Sequence, residues 1–127
     1  MRTGAVLLLA WLSWAPLDGL ASLALHCPEP PKQGIASWYS ESDAAIQKYT
    51  ASGEVFDDTQ DTCASWEFAF GTYLKVTNVK NGRSVVCRVN DRGPAFSLNR
   101  RIDLTKTSFE KIADPNLGLI EVRILPQ

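Results

Sequence analysis

Asp91 and Glu54 are the acids whose settings in the chain suit catalysis. Asp91 lies in Ser84-Val85-Val86-Cys87-Arg88-Val89-Asn90-Asp91-Arg92-Gly93-Pro94. The first half alternates like a strand and the second is a polar bend, so a rigid element delivers a carboxylate to an exposed loop. A carboxylate at the lip of an apolar core is partly desolvated, and desolvation favours the protonated form that a general acid needs. The competing reading is that Asp91 caps the turn, accepting loop amides or pairing with Arg92; pattern alone leaves both open. Glu54 is the second candidate, with Asp57, Asp58 and Asp61 as a lesser group.

Other chemistries lack their residues. The single histidine, His26, stands at the edge of an apolar leader. The folded part therefore has no imidazole for a Ser-His-Asp triad, a Cys-His pair or a zinc site. Gly53, Gly71, Gly82 and Gly93 are isolated, so no phosphate-cradling loop is present, and no metal or cofactor is expected. Paired carboxylates with aromatics point to a glycan, because a glycosidic bond needs protonation of its leaving oxygen and sugar rings stack on aromatic faces. Trp38, Tyr39, Trp66 and Phe96 are the candidate platform, with Arg92 beside the acid. Core packing is the rival reading for each aromatic.

Short strands must position these groups. Residues 72–79 and 84–90 are β-rich and joined through Lys80-Asn81-Gly82-Arg83, a hairpin signal. With Asn81-Gly82 as a two-residue turn, Lys80 faces Arg83, Val76 faces Cys87 and Leu74 faces Val89. Leu74, Val76, Val85, Cys87 and Val89 then share the apolar face, and Asp91 continues that side as the strand ends. Gly34-Ile35-Ala36-Ser37-Trp38-Tyr39-Ser40 reads as a first strand, residues 49–58 as a bend around Gly53, and residues 101–104 as a short strand. Residues 105–113 read as a helix capped by Asp103 or Thr105, and 118–125 as a closing strand. The sum is a compact, mainly β barrel with one short helix.

At 127 residues and 45% apolar content the chain can bury one modest core. A net charge of −1 offers no field for nucleic acid. Residues 1–24 read as a secretory signal: Arg2, an apolar run over 5–17 too short to span a bilayer comfortably, and Ser22-Leu23-Ala24 for cleavage. Residues 25–33 form a Pro-rich linker and 34–127 the domain. Export puts three cysteines in an oxidising compartment. Cys63 with Cys87 is the preferred disulfide, against the alternative of two buried thiols. Cys27 is then left over, placed where a lipidated cysteine would sit, although His26 precedes it where such signals want a small residue. Without a lipid there, no membrane contact is expected, and the protein is expected to be a monomer.

Gly34-Ile35-Ala36-Ser37-Trp38-Tyr39, Thr50-Ala51-Ser52-Gly53-Glu54-Val55-Phe56-Asp57, Phe70-Gly71-Thr72, Val76-Thr77-Asn78 with Asn81-Gly82-Arg83, Arg88-Val89-Asn90-Asp91-Arg92-Gly93-Pro94 and Ile102-Asp103-Leu104 together resemble the rare lipoprotein A family. The resemblance implies a six-stranded double-psi β-barrel of the expansin superfamily. It also implies a lytic transglycosylase that cuts peptidoglycan glycan strands between N-acetylmuramic acid and N-acetylglucosamine in the cell envelope, leaving 1,6-anhydro ends. Asp91 matches the family's catalytic aspartate, Glu54 its accessory glutamate, and Ser65 the position usually held by histidine. Ser65 can hydrogen bond but cannot carry charge near neutral pH. The alternative is a non-catalytic wall-binding or wall-loosening module using the same groove.

Overall fold

In the computed structural model, which describes residues 28–127, the alternating runs become six strands. They are β1 (Lys32–Tyr39), β2 (Thr62–Ala64), β3 (Tyr73–Asn78), β4 (Ser84–Asp91), β5 (Ile102–Thr105) and β6 (Ile120–Pro126). They close into a barrel in the order β1-β5-β2-β4-β3-β6. Two parallel pairings, β1 with β5 and β2 with β4, are linked by antiparallel ones. Closure removes the free edges that short strands would otherwise expose. The leader reading and Cys27 lie outside the described residues. β1 starts at Lys32, so the last two residues assigned to the linker pair with β6, at Ile124 and Arg123.

The core fills the barrel from alternate positions of each strand. Leu74, Val76, Cys87 and Val89 are fully buried and Val85 nearly so, as their shared parity requires; each large apolar side chain contributes about 1.5–3 kcal/mol on burial. The hairpin register differs from the one expected. Leu74 faces Cys87 and Val76 faces Val85, a slip of two residues that leaves the faces unchanged because the side-chain period is also two. The cause is a longer turn. Asn78 N–H donates to the Arg83 carbonyl (2.8 Å) and Gly82 N–H to the Asn78 carbonyl (2.8 Å), so residues 79–82 all lie in the loop. The side chains of Asn78 and Asn81 both donate to the Ile112 carbonyl, each at 2.9 Å. This tertiary anchor overrides the preference of Asn-Gly for a two-residue turn.

The helix is shorter than expected: α1 covers Lys106–Glu110, and Phe109 and Ile112 supply the anticipated buried stripe. Neither expected cap acts as one. Thr105 holds the N-cap position without a capping bond; its Oγ1 instead bonds the Gln60 carbonyl at 2.7 Å and Ser108 Oγ at 3.0 Å. Asp103 is turned toward β1, where its carboxylate accepts from the Ser37 hydroxyl. Cys63 on β2 and Cys87 on β4 form the expected disulfide, with their Cα atoms 5.9 Å apart.

Candidate active site

The end of β4 is held from both sides. The bend around Gly53, which has φ of 90°, closes with Thr50 N–H on the Glu54 carbonyl (2.8 Å) and docks on β4 with Ser52 N–H on the Asn90 carbonyl (3.2 Å). On the other side, Ser65 N–H donates to the Asp91 carbonyl at 3.1 Å. The Asp91 carboxylate is thereby oriented: Oδ1 accepts from the backbone N–H groups of Ala51 and Arg92, each at 2.8 Å. Oδ2 has no protein donor among the described residues.

Asp91 lines an open hollow of about 370 Å³ with Tyr39, Thr50, Ala51, Ala64, Gly93 and Asp103. Asp103, expected only as an alternative to Thr105 for the helix cap, is the second acid of this hollow. On β2, Ala64 pairs with Asp91 on one flank and with Asp103 on the other. The two acids therefore stand about 10 Å apart at their backbones, two strand spacings, across a residue too small to fill the gap. Burial is the main cause that raises the Asp103 pKa above the usual carboxylate range, with the Asp91 charge adding to it, while the Ser37 hydrogen bond and the charge of Arg100 oppose. Tyr39 completes the hollow. It stacks on Phe56 with ring centroids 4.7 Å apart, and its hydroxyl is buried without a partner among the described residues. Burial, then the charges of Asp91 and Asp103, push its pKa upward.

Glu54 sits elsewhere. Its carboxylate takes two bonds from the Arg88 guanidinium, 2.6 and 2.8 Å, and one from the Asn90 amide at 3.2 Å. With these partners Glu54 lines a small hollow, together with Asp57, Gln60 and Thr62, separate from the one at Asp91. The Arg88 and Asn90 hydrogen bonds bring its pKa down to about 2. Of the lesser acids, Asp58 accepts from Ser40 Oγ (2.5 Å) and the Glu41 N–H (3.0 Å), and Asp61 from Ser108 and Lys111. Asp58 joins two loops, and Asp61 ties the residue before β2 to α1 and its C-cap.

Ser65 is buried, with Oγ accepting from the Glu67 N–H at 3.2 Å, and it does not line the Asp91 hollow. Arg92 is also committed: Nη1 donates to the carbonyls of Ser65 (2.6 Å) and Phe68 (2.7 Å), and the guanidinium lies 3.9 Å over the Phe70 ring. Of the four expected aromatics, Trp38 packs against the core and donates Nε1–H to the Pro115 carbonyl at 3.0 Å, away from the hollow. Trp66 and Phe96 remain exposed and stack on each other with centroids 5.0 Å apart. They line a second hollow that meets the first at Pro94.

A family model described as "Lytic transglycolase" matches residues 31–124, almost all of the described barrel. The chain belongs to this family. It is 45% identical over 92 residues to a protein of Nostoc sp. named "Probable endolytic peptidoglycan transglycosylase RlpA", covering 72% of this chain and 24% of that protein. It is 42% identical to the "Endolytic peptidoglycan transglycosylase RlpA" of Neisseria meningitidis, covering 72% of this chain and 37% of the relative. The chain thus spans about a quarter to a third of the length of these curated relatives.

Among solved structures, a mutant Clavibacter michiganensis expansin in complex with cellohexaose superposes with a TM-score of 0.60 at 21% identity, over 76% of this chain and 50% of that one. The Streptomyces papain inhibitor superposes with a TM-score of 0.60 at 23% identity, over 77% and 96%. At such identities the likeness is one of fold, and with the two parallel pairings it makes the barrel double-psi.

Proposed function

We propose that this protein is an endolytic lytic transglycosylase that cuts the glycan strands of peptidoglycan in the cell envelope, after export by the leader. The observation that carries this reading is the Asp91–Asp103 pair facing one open hollow in a member of this family. In such a cut one acid protonates the glycosidic oxygen. The same group, now a base, takes the proton of the muramic acid 6-hydroxyl as that oxygen closes onto C1, so no water is consumed. Asp91 acts at the bond, its carboxylate held by two N–H groups with Oδ2 open to the hollow. Burial and the Asp91 charge raise the Asp103 pKa, so Asp103 holds its proton to higher pH than an ordinary carboxyl and adds less negative charge beside the reacting group. Glu54 acts at one remove, tying the Gly53 bend to β4 and with it the Ala51 N–H that orients Asp91. Incubating peptide-free strands with the protein and weighing the ends tests this. Anhydro ends are expected, and none with Asp91→Asn; equal yields from both proteins would remove Asp91 from the role.

Ser65 favours a second reading. Its hydroxyl is buried against Glu67 N–H and offers the hollow no charge, which suits a module that holds glycan through Trp66 and Phe96 without cutting it. That module would be retained on cell walls, less so with Trp66→Ala, and would release no soluble product.

A further inference from the structure

β1 and β5 run parallel with Ser37 directly beside Asp103. Ser37 is buried, and its hydroxyl donates to Asp103 Oδ1, its only partner among the described residues. That fixes the direction of the bond. Were Asp103 to donate a proton from Oδ1 instead, the serine O–H would be left buried without an acceptor, which folded proteins rarely tolerate. The serine therefore donates whether Asp103 is ionised or not, and the proton of the acid form belongs on Oδ2. Oδ2 accepts from no donor among the described residues. A Cβ built on Gly93 would stand 3.6 Å from Oδ2 and 3.5 Å from Ala64 Cβ. Oδ2 is thus turned to the loop that follows Asp91, and Gly93 lines the hollow together with both acids.

Few charges face this carboxyl. Burial raises its pKa most and Asp91, at the end of β4, raises it further, while the Ser37 bond and Arg100, just before β5, lower it. From β1 comes the Tyr39 hydroxyl, whose own pKa is pushed up by burial and then by the two acids, so it stays neutral. β2 brings Ala64, which carries no charge. Lys106 of α1 is engaged by Glu110 at 3.9 Å and by the Trp38 ring at 5.8 Å. Among the described residues, Ser37 alone donates a hydrogen bond to Asp103.

We propose that Ser37 is a positioning residue of this site: it pins Oδ1 of Asp103 so that Oδ2, and any proton on it, faces the bond held at Asp91. The inference rests on the glycan-cutting reading above and deepens it, giving the orientation of the second acid to one hydroxyl on β1. A carboxyl free to rotate spends part of its time with its proton turned away, and small misplacements at a reacting centre cost up to about 100-fold.

Carbon-13 NMR of the labelled protein reads the Asp103 carboxyl directly as pH is varied. In Ser37→Ala its midpoint should move to higher pH, because the bond that favours the charged form is gone. Ser37→Thr restores a hydroxyl and should bring the midpoint back toward the parent. Anhydro-end formation should fall roughly tenfold in the alanine variant and recover with threonine. The limb on which activity falls as Asp103 ionises should move up in pH with the carboxyl midpoint; a merely structural serine would move neither. An unmoved midpoint in Ser37→Ala, or full activity at every pH, overturns the role. Should either variant not fold, the parent decides: its Ser37 Cβ resonance should titrate together with the Asp103 carboxyl, and a Cβ that stays fixed overturns the contact. Strand cutting by the parent is scored separately. Anhydro ends with an unmoved midpoint sink the serine's role alone, and a moved midpoint without anhydro ends sinks the enzyme reading alone.

Discussion

Glu54 and Asp103 are carboxylic acids on either side of the same strand end, and their surroundings push them in opposite directions. Glu54 is exposed and clasped by Arg88 and Asn90, so its charge is secured and its pKa falls to about 2. Asp103 is mostly enclosed beside another acid, so its charge is opposed and its pKa rises. A group whose charge is secured by an ion pair serves as a brace, whereas a group whose charge is opposed holds its proton more readily than an ordinary carboxyl. The difference suits Glu54 to architecture and underlies the part proposed for Asp103 beside Asp91.

The comparison can be broken by substitution. Asp91→Asn should lower anhydro-end formation by roughly 100-fold or more, the usual worth of a positioned acid or base, with circular dichroism unchanged. Asp103→Asn should lower it by roughly 10-fold to 100-fold and also alter the pH–rate profile: the limb along which activity falls as Asp103 ionises should vanish. An unaltered profile would place Asp103 outside the proton path.

Stability should respond to these acids with opposite signs. For Asp103 the folded pKa is the higher one, so the fold binds the proton more tightly than the unfolded chain. Its cost is absent below the ordinary value of 3.8, grows as pH rises from there, and is complete above the raised value. Melting curves should therefore show Asp103→Asn gaining on the parent as pH rises through that window. For Glu54 the folded pKa is the lower one, so its contribution is full above its ordinary 4.5 and disappears as pH falls through about 2. Glu54→Gln should cost about 1 kcal/mol or less at neutral pH, since water screens so exposed a pair, and nothing in strong acid. The smallest effect is expected from Tyr39→Phe. Removing a buried hydroxyl that has no partner should change stability by less than about 1 kcal/mol, and a large loss would show that the hydroxyl serves the acids.

Legibility followed the range of the forces involved. The faces of β3 and β4 could be read from alternation, because parity survives a register slip of two residues. The register itself could not, because Asn78 and Asn81 are anchored to the Ile112 carbonyl, a partner far along the chain. Trp38 and Trp66 look alike in the sequence, yet one is drawn to the Pro115 carbonyl and the core while the other stays half exposed. The signal that could have exposed Asp103 was present: its place in Arg101-Ile102-Asp103-Leu104 puts a carboxylate between two inward apolar residues.

What the sequence determined by itself was the set of local commitments: which faces are apolar, that Asp91 ends a strand at a bend, that Cys63 and Cys87 can pair, and which family the ordered motifs resemble. These depend on neighbours a few residues apart, or on motifs that persist whatever they pack against. Only the tertiary structure decided which acid shares a hollow with Asp91. Closing the barrel sets β2 between β4 and β5, with Ala64 between Asp91 and Asp103, and Glu54 is clasped by Arg88 in a separate hollow. Burial and charge partnership are properties of that closed surface, and no spacing along the chain contains them.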